Sequence, residues 1–215
     1  MEYNVNKYKE MLTLENQNQN LISRKNMAYE IEKHVEDSLK ISDFLDLSSE
    51  KLVDIGSGAG FPGMIIAIAF PRADITLVES DHKKSQFLKE VSRELGLDNV
   101  EVICARVEEL GQDASYRGKF SLCSTRAVAS MNVLLEYGLP LLCPGGRLLL
   151  WKGRNYQQEI DQAQNALVIL GGLLENVYRY TLMEERDRAI VIVRKEKPTP
   201  EKYPRRVGIP AKRPL

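Results

Sequence analysis

From residue 51 onward, short apolar runs alternate with stretches of helical periodicity, the pattern of a sheet covered by helices on both faces. The runs predict strands at Leu52–Ile55, Ile75–Glu79, Val100–Cys104, Phe120–Thr125, Arg147–Trp151, Glu175–Leu182 and Ala189–Arg194. Between them the periodicity predicts helices at Pro62–Phe70, His82–Leu95, Ala129–Leu139 and Tyr156–Gly171. No helix separates the last two strands, only the charged turn Glu184-Glu185-Arg186-Asp187, so they are expected to pair as an antiparallel hairpin at the sheet edge. The expected fold class is α/β, with a seven-stranded, mostly parallel sheet and one terminal hairpin.

Two pieces flank residues 51–195. Residues 1–50 are helical in pattern, but Glu15–Asn20 and Ser23–Asn26 interrupt them, predicting a few short helices rather than one long one. Residues 196–215 carry prolines at 198, 200, 204, 210 and 214, and six Lys or Arg against two Glu, so they are expected to be extended and not helical.

Composition narrows the class. Of 215 residues 43% are hydrophobic, and 30 basic side chains balance 30 acidic ones, which fits one soluble globular domain with a substantial core. No N-terminal charged-then-apolar signal occurs, and the longest apolar stretch, Met64–Phe70, falls far short of the roughly 20 residues a membrane helix needs, so a cytoplasmic protein without membrane contact is expected. Cys104, Cys123 and Cys143 are odd in number, widely spaced and set in apolar surroundings, reading as buried thiols rather than disulfides or a zinc site. No metal is expected, and with only His34 and His82 available, histidine-centred chemistry is disfavoured. Zero net charge argues against indiscriminate coating of nucleic acid but not against a local basic patch. No strand offers an obvious self-pairing edge, which makes a monomer the default expectation.

The run L-V-D-I-G-S-G-A-G-F-P-G from Leu52 to Gly63 carries the chemistry. An apolar strand ends in glycines so closely spaced that the backbone can touch a ligand, with a helix start directly behind. The turn opening straight after the strand makes Gly56, Gly58 and Gly60 the loop, although Gly58, Gly60 and Gly63 also satisfy the dinucleotide spacing G-x-G-x-x-G. Asp54 favours a cationic or donor-rich ligand over a pyrophosphate, which points to S-adenosylmethionine. Glu79 closes the second strand about twenty residues on, where a carboxylate accepts hydrogen bonds from ribose hydroxyls, the favoured reading over an N-cap or solvated acid before the next helix. In Arg106-Val107-Glu108-Glu109 the acids can read an adenine edge or cap a helix. Arg126, after the fourth strand, is open to three uses: the cofactor carboxylate, a substrate phosphate, or an ion pair with Asp54. Phe61 can stack on the cofactor, the favoured reading, or pack in the core.

Taken in order, these residues resemble the bacterial 16S ribosomal RNA guanine-N7 methyltransferases, also called the glucose-inhibited division protein B family. The resemblance spans nearly the whole chain: Asn20-Leu21, His34-Val35-Glu36-Asp37-Ser38, Asp54–Gly63, Leu77-Val78-Glu79-Ser80, Lys83-Lys84, Phe87-Leu88, Arg106-Val107-Glu108, Thr125-Arg126-Ala127-Val128-Ala129, Lys152-Gly153 with Glu159, and Tyr203-Pro204-Arg205-Arg206-Val207-Gly208. It implies a Rossmann-like class I methyltransferase fold. It also implies transfer of a methyl group from S-adenosyl-L-methionine to N7 of a guanine in the decoding-region loop of 16S rRNA, in the free rRNA or the small ribosomal subunit. The positions matching the family's cofactor contacts are Gly56, Phe61, Val107, Glu108 and Arg126. Thr125 stands where the family more often has serine, and keeps the hydroxyl.

Guanine N7 carries a free lone pair, so in-line transfer requires no general base and no enzyme nucleophile, and no catalytic acid or base is assigned. The expected RNA contacts are Arg126, Lys152, Arg154, Arg205, Arg206, Lys212 and Arg213, with Tyr203 or Tyr156 as stacking surfaces; alternatively the tail merely covers the sheet edge. His34 and Asp37 are expected to tie the N-terminal helices to the domain, a packing role favoured over catalysis. The competing readings are a class I methyltransferase of a small molecule or protein, a non-catalytic cofactor-binding RNA module and, least favoured, a nicotinamide-dependent oxidoreductase.

Overall fold

A computed structural model of the protein describes residues 1–183 and 186–215. Two N-terminal helices, α1 (Glu2–Asn18) and α2 (Met27–Leu39), precede strand β1 (Lys51–Ile55). As expected, the helical pattern breaks at the two asparagine-rich stretches: α1 ends at Asn18, within Glu15–Asn20, and α2 starts at Met27, just after Ser23–Asn26. Asn16 is buried, and its side chain accepts hydrogen bonds from the Leu21 and Ile22 amides and donates to the Ile22 carbonyl. It therefore shapes the turn that follows the helix end.

The chain then runs α3 (Gly63–Ala69), β2 (Asp74–Glu79), α4 (His82–Glu94), β3 (Val100–Cys104), α5 (Val107–Leu110), β4 (Phe120–Arg126), α6 (Met131–Gly138) and β5 (Leu142–Lys152). Next come α7 (Tyr156–Gln162), α8 (Gln164–Leu170), β6 (Gly172–Leu182), β7 (Arg186–Lys195) and a short α9 (Ile209–Lys212). All seven expected strands are present, in the order β3-β2-β1-β4-β5-β7-β6. Strands β1 to β5 are parallel, and β7 runs antiparallel between β5 and β6. The hairpin is as expected, except that its second strand lies inside the sheet and its first forms the edge; Glu184 and Glu185 of its turn lie outside the described residues. The helix expected over Tyr156–Gly171 is two, bending at Ala163, whose amide is shared by the Glu159 and Ile160 carbonyls.

Strand alternation divides the core in two. Leu52, Leu77, Leu149, Trp151 and Ile190 pack against α1 to α4, while Val53, Val78, Leu148, Leu150 and Val191 pack against α6 to α8. Asp37 confirms the tethering expected of it: its carbonyl accepts from Trp151 Nε1 at 2.9 Å and its carboxylate from the Tyr180 hydroxyl at 2.6 Å. The thiols differ from expectation, since Cys123 is buried but Cys104 is exposed, lying on the edge strand β3, and Cys143 is half-buried.

The tail is neither wholly extended nor loose. Arg117 donates to the carbonyls of Gly111, Thr199, Pro200 and Tyr203, and Gln112 to those of Glu201 and Pro204. Thr199 bonds to the Leu170 carbonyl, and the Lys195 ammonium is buried on the Leu139 and Leu142 carbonyls. The backbone polar groups of a proline-rich strap that forms no ladder are thus answered by side chains of the body.

Candidate cofactor cleft

Strand order reverses between β1 and β4, and in open α/β sheets the crevice at the carboxyl ends of such strands is where ligands bind. A cavity of about 380 Å³ opens there. Gly56 and Val78 lie at its base, Val107 and Glu108 on one wall, Val128 and Ala129 on another, and Val207, Gly208 and Ala211 of the tail close it.

The loop is held open from behind. The amides of Gly56 and Ser57 donate to the Val78 carbonyl, and the Tyr8 hydroxyl of α1 reaches the Ala59 carbonyl at 2.8 Å. Gly56 has φ +71°, and a Cβ there would sit 2.5 Å from Val128 Cγ2. Gly63 starts α3 so close to β1 that its Cβ would meet the Asp54 Cβ at 2.7 Å. Close packing thus explains the fourth glycine of the run without a phosphate.

Glu79 is buried, and its two carboxylate oxygens accept from the Gly58 amide at 2.9 Å and the Asp81 amide at 2.8 Å. Capping of α4 falls to Asp81, which accepts from the Lys83 and Lys84 amides. Glu79 thus joins the glycine loop to the end of β2, and each of its oxygens keeps a further lone pair for a ligand hydroxyl. Glu79→Ala is expected to weaken S-adenosylmethionine binding about tenfold or more, since hydrogen bonds to a charged group contribute about 1.5–3 kcal/mol each. Calorimetry measures this, and an unchanged dissociation constant would remove the role.

The two acids after β3 divide their work. Glu109 accepts from the Arg106 amide and caps α5, whereas Glu108 accepts from the Gly208 amide at 2.9 Å and the Tyr137 hydroxyl at 3.3 Å. Glu108 fastens the tail over the cleft, a link that sequence reasoning missed.

Other expected site residues are placed differently. Asp54 is fully buried beneath Gly63 and accepts from the Ser124 hydroxyl at 2.7 Å, so it supports the loop and presents no surface to a ligand. Phe61 does not line the cavity; it is buried against Tyr8 and His34, with the Arg126 guanidinium 5.1 Å from its ring centre. Core packing, the less favoured reading, is what its ring does. Arg126 pairs with Asp37 at 2.8 Å instead of Asp54, because Asp54 is turned inward to Ser124.

Of the expected RNA contacts, Arg154, Arg206, Lys212 and Arg213 are exposed, and Arg206 and Lys212 adjoin Val207 and Ala211 of the cavity lining. Lys152 is buried, donating to the Ala129 carbonyl and Glu159, and Arg205 is forked onto the fully buried Glu136. Tyr203 is buried and offers no stacking face, and Tyr156 is half-buried beneath the Arg179 guanidinium. Among the described residues no group of three or more His, Cys, Asp or Glu is placed to hold a metal, and no helix is long and apolar enough to cross a membrane.

Burial pushes Asp54 up to about 6, while burial and the charges of Arg126 and Lys33 push His34 down to about 4. Between pH 4 and 6 the folded protein holds a proton on Asp54 that the unfolded chain has lost, so this group stabilises as pH falls. His34 is neutral when folded and protonated when unfolded in the same window, so it destabilises as pH falls. The two oppose each other. Asp54→Asn should therefore lose stability on going from pH 7 to 5 relative to the parent, and His34→Gln should gain it. Of the whole Asp54 shift, equivalent to about 3 kcal/mol, the interval from pH 7 to 5 spans about 1 kcal/mol, and denaturant unfolding at the two pH values reads that part.

A family model described as rRNA small subunit methyltransferase G matches residues 1–191. The chain belongs to that family. It is 58% identical over 215 residues to the ribosomal RNA small subunit methyltransferase G of Syntrophomonas wolfei, covering 100% of both chains. To the protein of the same name from Chloroflexus aggregans it is 41% identical over 209 residues, covering 97% of this chain and 88% of the relative. Among solved structures, a SAM-dependent O-methyltransferase from Thermotoga maritima superposes with a TM-score of 0.57 at 14% identity, over 77% of this chain and 67% of that one. A Thermus thermophilus 16S rRNA N2 methyltransferase in complex with AdoMet and guanosine superposes with a TM-score of 0.53 at 17% identity, over 77% of this chain and 40% of that one. At these identities the likeness is one of fold, that of the Rossmann-like methyltransferases. The family member is an S-adenosylmethionine-dependent methyltransferase of small-subunit ribosomal RNA.

Proposed function

We propose that this methyltransferase modifies N7 of a guanine in the decoding-region loop of 16S rRNA, acting as a cytoplasmic monomer without a metal. Support comes chiefly from the cavity lined by Gly56, Val78, Val107 and Glu108, whose glycine loop is tied by the Gly58 amide to Glu79 at the end of β2. When bound, S-adenosylmethionine supplies a methyl group already activated on a sulfonium. Glu79 would hold the ribose, the glycine loop would accommodate the amino acid portion, and the α5 start would bound the adenine.

Guanine N7 attacks with its own lone pair, so the protein need only align donor and acceptor and exclude water, which supplies roughly 7–11 kcal/mol of the barrier. The buried thiol fits that reading. Cys123 is fully buried, with burial and the nearby Asp54 charge pushing its thiol up, so it provides no thiolate for attack on a pyrimidine. Exposed Arg206 and Lys212 adjoin the cavity lining where an RNA loop would approach, and Arg154 and Arg213 are exposed as well.

The test is transfer of labelled methyl to 16S rRNA and small subunits lacking the modification, with the product nucleoside identified by mass spectrometry. Appearance of 7-methylguanosine at one decoding-loop position is the expected result. Label on another base atom would remove the N7 assignment.

A further inference from the structure

A second cavity, of about 270 Å³, adjoins the first, with Ala129 lining both. Four cationic side chains, Lys33, Arg126, Lys152 and Arg188, line it. Three are already paired: Lys33 with Glu30, Arg126 with Asp37, and Lys152 with Glu159.

Arg188 differs. It lies near the start of β7, opposite Tyr180 on β6 and next to Ala189, which faces Lys152 at the carboxyl end of β5. Its parity is that of Ile190 and Ile192, so its side chain stands on the face covered by α2, beside Lys33 and Asp37. No carboxylate among the described residues pairs with it, and its Nε is buried without a hydrogen-bond partner. Its Nη1 lies beside Gly153, where even an added Cβ would come within 3.4 Å. A half-buried guanidinium without a carboxylate partner, in a cavity whose other cations are neutralised, is preorganised for an oxyanion.

We propose that Arg188 holds a backbone phosphate of the RNA strand beside the target guanine, so that the second cavity seats the nucleotide next to the cofactor cleft. This rests on the small-subunit rRNA reading of the first cavity. A phosphate there accepts from the terminal N–H groups of the guanidinium, whose charge, unlike those of Lys33, Arg126 and Lys152, no carboxylate among the described residues answers.

The test compares Arg188→Gln, Arg188→Met, Arg188→Lys and a control, Arg93→Gln, an exposed arginine on α4. Methyl transfer to unmodified small subunits is measured across a range of salt. Arg188→Gln and Arg188→Met should raise KM about tenfold and make the salt slope shallower by about 0.7, one single-strand phosphate contact. Arg188→Lys should keep the parent's slope while regaining only part of the affinity, because the charge is kept and the fork is not; Arg93→Gln should match the parent, and calorimetric cofactor binding should stay constant throughout. An unchanged KM and slope in both neutral variants overturns the proposal, and so does a fall in kcat at constant KM. If the parent protein methylates no rRNA substrate, the functional reading fails first. Filter binding of unmodified rRNA by parent and Arg188→Gln then still decides the phosphate contact, because it requires no turnover.

Discussion

Replacing Arg205 by alanine is expected to destabilise the protein by about 3–5 kcal/mol, the cost of leaving one member of a buried ion pair without its partner. Glu136 is 0% exposed on α6, and its carboxylate accepts from Arg205 Nε and Nη2 and from the Arg205 amide. Removing the guanidinium leaves that carboxylate in the apolar layer with one backbone donor. The strap loosens at the same point, so S-adenosylmethionine affinity should fall with stability, because Val207, Gly208 and Ala211 form one side of the cleft. Denaturant unfolding and calorimetry read the two effects. The double variant Glu136→Leu with Arg205→Met should recover most of the stability, since an apolar pair of similar volume commonly replaces a buried ion pair without loss. A single variant as stable as the parent would show that the pair carries no weight.

Gly56→Ala should have the largest effect on the cofactor: a loss of affinity of about 100-fold, equivalent to the loss of two hydrogen bonds worth roughly 1.5 kcal/mol each. Two causes act together. With φ at +71°, any Cβ at position 56 strains the backbone by about 1–2 kcal/mol. That Cβ also lies 2.5 Å from Val128 Cγ2, so relief requires Val128 to move within the cavity it lines. Gly58→Ala is the informative comparison. Its φ is +57°, but the nearest atom to an added Cβ is 3.8 Å away, so it should show the strain without the crowding and lose less affinity. Equal losses in the two variants would assign the whole effect to backbone strain.

The strands were legible because each is a short apolar run bounded by turn residues, and the parity of Leu52 against Val53, or Leu149 against Leu148, already assigns the two faces. The glycine loop was legible for a related reason, since glycines so closely spaced after a strand mark a tight turn, whereas the strand-end carboxylate Asp54 faces the core instead of a ligand. The partners of charged groups across the fold were not. Arg126 could be placed at the sheet edge from its position after β4, but its partner Asp37 comes from α2, 89 residues away, where no local pattern reaches. Arg117 lies in a loop with nothing to mark it as the clamp of the tail. Glu136 did carry a signal, a lone acid within the apolar run Met131–Leu142, because a charge there must be paired to be buried. The proline content of the tail correctly excluded long helices but could not show that side chains of the body would bind its backbone.

The strap that closes the cleft also sets when the protein becomes competent during its synthesis. The glycine loop, Glu79 and the whole parallel sheet are made well before residues 207 to 211, yet those residues complete the pocket. A chain interrupted after β7 would hold most of the fold and lack one side of the methyl-donor site, with Glu108 missing its Gly208 partner and Glu136 its Arg205. Prematurely terminated products would thus be both less stable and unable to engage the donor. Quality control by proteolysis and loss of activity are in this way tied to the same few residues.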